Sequence, residues 1–186
     1  MRYILASKSP RRKELLAQIV DNFEIITADV DENLGFEAHP NTEVLHLAIK
    51  KGAAVAKDHP NDLVISSDTL VEVDGVALGK PKNKSDAFRM LKSLSGRAHN
   101  VHTGIAVHYS GLCYSDVATT AVYFRKMTDD EINDYIDSGD PMDKAGSYGI
   151  QSGGGKFVEK IEGDYDTVVG LSVALTKKLI DEALND

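Results

Sequence analysis

Arg2-Tyr-Ile-Leu-Ala-Ser-Lys-Ser-Pro-Arg-Arg-Lys-Glu-Leu-Leu16 carries a strand into a helix through a short polar turn, and the rest of the chain is organised around it. Tyr3 to Ala6 is an apolar run suited to a buried strand, while Leu15, Leu16 and Ile19 recur at helical spacing. Ser9 stands where a helix N-cap belongs, and Pro10 fills the first helical position, where its missing N–H costs nothing. The first turn then carries Arg11, Arg12 and Lys13, although the helix dipole favours acids at that end. Unpaired backbone N–H groups, the positive dipole end and two guanidinium groups together suit a phosphate. The same residues also suit a solvated basic turn, and spacing alone does not separate the two.

The remaining chain bounds the possibilities. At 186 residues with 42% hydrophobic residues, one domain over 1–186, with two lobes around a cleft, is expected. A net charge of −8 excludes a general nucleic-acid binder, which needs a basic face, so any polyanion must be met locally. Basic residues do gather at Arg11 to Lys13, at Lys50-Lys51 and at Lys80, Lys82 and Lys84, of which Lys82 and Lys84 read as solvated surface. Cys113 is the single cysteine, so no disulfide within the chain and no thiolate zinc site is expected. His99 and His102 fall on opposite faces of a strand, which disfavours a histidine metal site. With no charged-then-apolar leader and no apolar run of membrane length, a soluble cytoplasmic protein with no membrane partner is expected.

In chain order, Phe23 to Thr27 predicts a second strand, followed by the acidic Asp29-Val-Asp-Glu32, which suits either a hard cation or a solvated loop. Asn41 to Lys57 predicts a helix with Lys50 and Lys51 in its middle. Leu63 to Ile65 predicts a central strand, with Asp68 and Thr69 at its end, where a carboxylate is costly unless used or satisfied. Asp74-Gly75 marks a hairpin that brings Lys80 back towards Asp68 in space. Ser85 to Leu94 predicts a helix, and His99 to Tyr109 with Leu112 to Phe124 a long hairpin turning at Ser110-Gly111. Thr128-Asp-Asp-Glu131 is a capping box. Pro141 to Gly155 is glycine-rich, with Asp143, Lys144 and Gln151 as polar groups, and suits a ligand-contacting loop or a flexible connector. It is not a triphosphatase P-loop, because Phe157 follows Lys156 and Ile150 stands at the leading glycine position. A strand near Phe157 to Ile161, a loop over Glu162 to Thr167 and a helix capped by Ser172 close the chain.

Leu5 to Leu16, Ser67-Asp-Thr69, Gly79-Lys-Pro81, Leu94-Ser-Gly-Arg97, Asp143-Lys-Ala-Gly-Ser-Tyr-Gly-Ile-Gln151 and Val169-Gly-Leu171 occur in the order seen in the Maf family of nucleotide pyrophosphatases, which the chain resembles over nearly its whole length. The resemblance implies an α/β fold: a long mixed sheet flanked by helices with a deep nucleotide cleft, similar to inosine triphosphate pyrophosphatases, and a homodimer. Arg11-Arg12, Thr69 and Tyr148-Gly-Ile-Gln151 resemble the branch acting on dTTP and UTP. Two departures stand out: Ser66-Ser67 replaces Gly-Ala, with an expected shift of the backbone beside Asp68, and Ser172 replaces Pro.

The function so implied is hydrolysis of dTTP and UTP, with modified pyrimidine nucleotides as further candidates, to a monophosphate and pyrophosphate. Asp68 is the expected base, with Glu32 beside it as a metal ligand and magnesium or manganese as the cofactor. Ser9, Arg12, Lys51 and Lys80 are expected to hold the triphosphate, and Arg11, Thr69 and Gln151 to select the base. The alternative is a nucleotide-sensing regulator of septum formation whose turnover is incidental.

Overall fold

Val, Ile, Leu and Thr recur through the extended segments and favour one sheet. The computed structural model describes residues 1–35 and 37–185. The chain runs β1 (Tyr3–Leu5), α1 (Pro10–Leu16), β2 (Glu24–Ile25), α2 (Pro40–Ala56), β3 (Leu63–Val73), β4 (Val76–Leu78), α3 (Lys84–Leu94), β5 (Ala98–Tyr109), β6 (Leu112–Phe124), α4 (Asp129–Asp137), β7 (Val158–Glu162), α5 (Tyr165–Val169) and α6 (Val173–Asn185). Three single 3-10 turns, Asp140–Asp143, Ala145–Ser147 and Gly153–Phe157, build the glycine-rich stretch, so it is a folded segment. None of the described helices is long and apolar enough to cross a membrane.

The described residues form a seven-stranded mixed sheet, ordered β2-β1-β3-β5-β6-β7, with β4 paired to β3 off that path. Strands β2 and β3 both lie parallel to β1. All other pairs are antiparallel. The hairpin turns at Asp74-Gly75 and Ser110-Gly111 each hold two consecutive residues at positive φ, the arrangement that matches the twist of tight hairpins.

Strand β3 is the element that positions the site. One of its edges pairs with β5 without interruption from Val64↔His108 to Glu72↔Asn100. On its other edge β1 pairs only as far as Leu5↔Ile65, and β4 begins at Val71↔Leu78. Ser67, Asp68 and Thr69 therefore lie in a gap between two partner strands. The sequence places Asp68 and Thr69 at the end of a strand; the structure places them in the middle of an eleven-residue one. The local pattern changes there because β3 passes from one apolar core to another. Leu63 and Ile65 pack with Leu16, Ile105 and Leu179. Val71 and Val73 pack with Leu91, Val122 and Phe124. The polar residues between them mark the crossing.

Alternation along β3 sends Ser66, Asp68 and Glu72 to the face covered by α2, and Ser67 and Thr69 to the opposite face. Helix α2 lies unusually close to the sheet. A Cβ at Gly104 would stand 2.6 Å from the Val44 carbonyl oxygen, and one at Gly52 would stand 2.4 Å from Ser66 Oγ. Ser66 Oγ donates to the Ala48 carbonyl at 2.7 Å and ties the same helix to β3. Ser66 and Ser67 lie within a regular β3–β5 ladder.

Candidate active site

The turn after β1 folds as its residues dictate. Ser9 caps α1, its Oγ accepting from the Arg12 backbone N–H at 3.5 Å, and Pro10 opens the helix. That start points Arg12 across the gap beside β3. Its guanidinium donates to the Gly170 carbonyl at 2.9 Å, to Ser7 Oγ at 3.3 Å and to Thr69 Oγ1 at 3.3 Å. An arginine has five N–H donors, so two remain after these three contacts. Burial holds the Arg12 guanidinium below its ordinary range, opposed by the charge of Asp68 and reinforced by Arg11.

Thr69 is the middle of a directed chain. Thr103 Oγ1 donates to the Thr167 carbonyl at 2.7 Å and lies 3.0 Å from Thr69 Oγ1. Because the Thr103 proton goes to Thr167, the Thr69 hydroxyl must donate to Thr103 while accepting from Arg12. One acceptor lone pair of Thr69 remains. Ser67 Oγ donates at 3.0 Å to the Gly170 carbonyl that Arg12 also uses, so Gly170 joins β3 to α1.

On the other face of β3 the charges converge. The Lys51 ammonium donates to Asp68 Oδ1 at 2.6 Å and to Glu32 Oε1 at 2.8 Å, drawing a strand residue and a loop residue together through a helix. The side chains of Lys51 and Asp68 are 21% and 13% exposed, so water screens this pair far less than a surface pair. Burial alone would disfavour the Lys51 ammonium, but Asp68 and Glu32 outweigh it and raise its pKa. The hydrogen bond from Lys51 holds the Glu32 carboxyl below the usual carboxylate range; burial opposes it, and the charges of Lys51, Lys80 and Arg12 add to it. Lys80, Arg12 and Lys51 thus act on one carboxylate. The Lys80 ammonium itself makes no ion pair among the described residues.

Not every expected residue joins this group. Arg11 faces Asp143, its Nη1 3.8 Å from the carboxylate, and so reaches the glycine-rich segment. Gln151 is exposed in that segment, and no contact joins it to Arg11 or Thr69 among the described residues. Lys84 pairs with Asp137 on the surface, as a solvated lysine would. Ser7, Thr103 and Gly170 were not singled out by sequence. The available signal for Thr103-Gly104 was a polar and small pair interrupting the apolar run from Val101 to Val107.

Two histidines of β5 have hydrogen-bond partners outside this group. His102 Nε2 lies 2.6 Å from Glu72 Oε2 and its Nδ1 2.8 Å from Thr119 Oγ1. His99 Nε2 lies 2.7 Å from the Tyr148 hydroxyl. A hollow of about 610 Å³ opens at the start of β1, but its lining arginine, Arg2, is already paired with Asp62 at 2.6 Å and Glu24 at 3.1 Å. That group is solvent-exposed, with the Arg2 and Glu24 side chains 52% and 51% exposed, unlike the largely buried Lys51 and Asp68 pair.

Comparison with known proteins shows the family. The chain is 48% identical to a dTTP/UTP pyrophosphatase of Vibrio parahaemolyticus, over 97% of this chain and 96% of that one. It is 47% identical to a dTTP/UTP pyrophosphatase of a Thermoanaerobacter species, over 97% and 94%. It is 46% identical to a dTTP/UTP pyrophosphatase of Bacillus mycoides, over 92% and 90%. The structure of the Staphylococcus aureus Ham1 protein superposes with a TM-score of 0.50 at 18% identity, over 67% of this chain and 72% of that one, and shows a shared fold. The model of the Maf-like protein family matches residues 2–183, a span that takes in α1, the β3 gap and the glycine-rich segment alike, and the chain belongs to that family.

Proposed function

We propose that the protein hydrolyses dTTP and UTP between the α- and β-phosphates, releasing a nucleoside monophosphate and pyrophosphate. The observation that carries this reading is the placement of Asp68: a carboxylate in the sheet gap, held by Lys51 and near enough to Arg12 for the two charges to interact. The names of close relatives over nearly their whole length support the same substrate pair.

The chemistry follows from the groups present. A water oxygen attacks the α-phosphorus, the bond from that phosphorus to the bridging oxygen breaks, and pyrophosphate leaves. Asp68 accepts the proton of the attacking water; only Oδ1 is bonded to Lys51, and Oδ2 carries no hydrogen bond among the described residues. The two unused donors of Arg12, with Ser9 and Lys80, hold the phosphate oxygens as their charge grows. Glu32 and Asp68 fit a divalent cation of the magnesium or manganese kind. They offer hard oxygen donors, and no third His, Cys, Asp or Glu joins them among the described residues, which suits an ion completed by phosphate oxygens and water. When bound, that ion supplies positive charge to the phosphates.

Base choice is assigned to Arg11, Thr69 and Gln151. Uracil and thymine present two carbonyl acceptors around an N3–H donor, and a glutamine amide offers one donor and one acceptor in return. Cytosine replaces one carbonyl with an amino group, which then meets a donor where an acceptor is needed. The same reading makes the protein a single two-lobed domain and a cytoplasmic homodimer. The family resemblance supports the dimer, and a lone cysteine, Cys113, suits a reducing compartment.

Pyrophosphate release from dTTP, UTP, CTP, ATP and GTP, with divalent cation present, tests the assignment. The expected result is rapid release from dTTP and UTP and little from the other three. Equal rates on all five would remove the substrate assignment, and tight binding of dTTP without release would favour a nucleotide sensor.

A further inference from the structure

Lys51 binds one oxygen on each of the two carboxylates that would hold a divalent cation. Its ammonium stands 2.6 Å from Asp68 Oδ1 and 2.8 Å from Glu32 Oε1. A magnesium-sized ion bonds to carboxylate oxygens at about 2.0–2.1 Å. An ammonium and a divalent ion on one pair of carboxylates would lie only a few ångströms apart, where like charges repel strongly in a poorly screened site. The two cations exclude each other.

The surroundings say which partner moves. Asp68 lies mid-strand, paired to Gly104 in the β3–β5 ladder. The backbone of α2 is fixed against the sheet beside Lys51, because Gly52 packs on Ser66 and His108 and the Ala48 carbonyl accepts from Ser66 Oγ. What remains free to swing is the four-carbon stem of Lys51, and Glu32 on its loop, whose side chain is 66% exposed. Two of the three ammonium donors are engaged by carboxylates, and a triphosphate beside Arg12 offers oxygens of higher charge.

We propose that Lys51 is an exchangeable counter-ion: it holds Glu32 and Asp68 together until a phosphate chain arrives, then moves to a phosphate oxygen and releases both carboxylates to the divalent cation. Nucleotide and cation therefore bind cooperatively, each favouring the state the other requires. In this scheme Lys51 opposes cation binding to the protein alone, whereas a simple phosphate anchor would leave it unaffected. The identity of the phosphate ligand rests on the pyrophosphatase reading; the exchange at Lys51 does not require turnover.

The test is direct binding of Mn²⁺ to the full-length protein without nucleotide, measured from the electron paramagnetic resonance of the free ion. Lys51→Met keeps the stem and removes the charge. Lys50→Met removes the same charge one residue away, where the ammonium donates to the Asn33 carbonyl and pairs with no carboxylate among the described residues. The expected result is Mn²⁺ affinity raised about tenfold by Lys51→Met, within the span usual for coupled sites, and much less by Lys50→Met. Lys51→Gln, neutral but polar, serves if the apolar variant does not fold. Equal effects of the two positions, or Mn²⁺ affinity unchanged or weakened at position 51, would overturn the proposal. Tighter Mn²⁺ binding in a protein that hydrolyses no pyrimidine triphosphate would remove the proposed function and leave the exchange standing.

Discussion

Gly104→Ala tests whether the approach of α2 to the sheet sets the active-site geometry. The new Cβ would stand 2.6 Å from the Val44 carbonyl oxygen, 2.8 Å from its carbon and 2.9 Å from Leu45 Cα, all backbone atoms that no rotamer change can remove. Ordinary contact begins near 3.4 Å, so α2 must retreat by roughly 0.8 Å. Overpacking of this kind costs about 1–3 kcal/mol. For a chain of this length each kcal/mol lowers the melting temperature by roughly 2–4 °C, so a fall of about 2–12 °C is expected. Lys51 lies two turns along the same helix, and the retreat draws its ammonium from Asp68. Pyrophosphate release should therefore fall even at temperatures where the variant remains folded. Gly79→Ala is the control, since nothing lies within 4 Å of its added Cβ. Circular dichroism melts and pyrophosphate release measured on both variants check the expectation. A Gly104→Ala protein melting within about 1 °C of the parent would refute the idea that α2 is seated by this contact.

Two further outcomes follow from the same geometry. Lys80→Ala should weaken triphosphate binding by about 1.5–3 kcal/mol, the usual worth of a hydrogen bond to a charged group, while Lys84→Ala, whose lysine pairs with Asp137, should not; equal losses in titration calorimetry would return Lys80 to the solvated surface. Burial, reinforced by the Arg97 charge, lowers the His99 pKa from 6.5 to about 4. The unfolded chain therefore takes up a proton below pH 6.5 that the folded protein refuses until about pH 4, so stability falls across that window and levels off beneath it. His99→Gln should lose less melting temperature than the parent between these two limits, and equal losses would assign the acid sensitivity to other groups.

What sequence revealed and what it did not divide along physical lines. The Ser9-Pro10 helix start, the Asp74-Gly75 and Ser110-Gly111 turns and the Thr128–Glu131 capping box are local, and each formed where its residues required. The loop expected over Glu162 to Thr167 gives way at Tyr165 to helix α5, only five residues long, which Asp164 caps and Gly170 ends. Its brevity hid it, and with it the Gly170 carbonyl that Arg12 uses. The strand expected over Phe23 to Thr27 is confined to Glu24–Ile25, the two residues in ladder register with β1, and beyond them Ile26 keeps one backbone hydrogen bond to the Leu5 carbonyl. Asp68 was placed at a strand end because the apolar run stops at Ile65. The gap between β1 and β4 depends on where two distant segments stop pairing, and no local signal carries that. The Glu32–Lys51–Asp68 bridge likewise joins a loop, a helix and a strand, and only the folded chain brings them together.

The most direct test of the account is Asp68→Asn, which keeps the shape of the side chain and removes its basic oxygen. Titration calorimetry with dTTP and pyrophosphate release from dTTP are to be measured on the same preparation. The account predicts retained nucleotide binding with turnover reduced about 10²–10⁴-fold, the scale of a lost general base. Turnover within about a factor of two of the parent would contradict it, because the water would then be activated by some group other than Asp68.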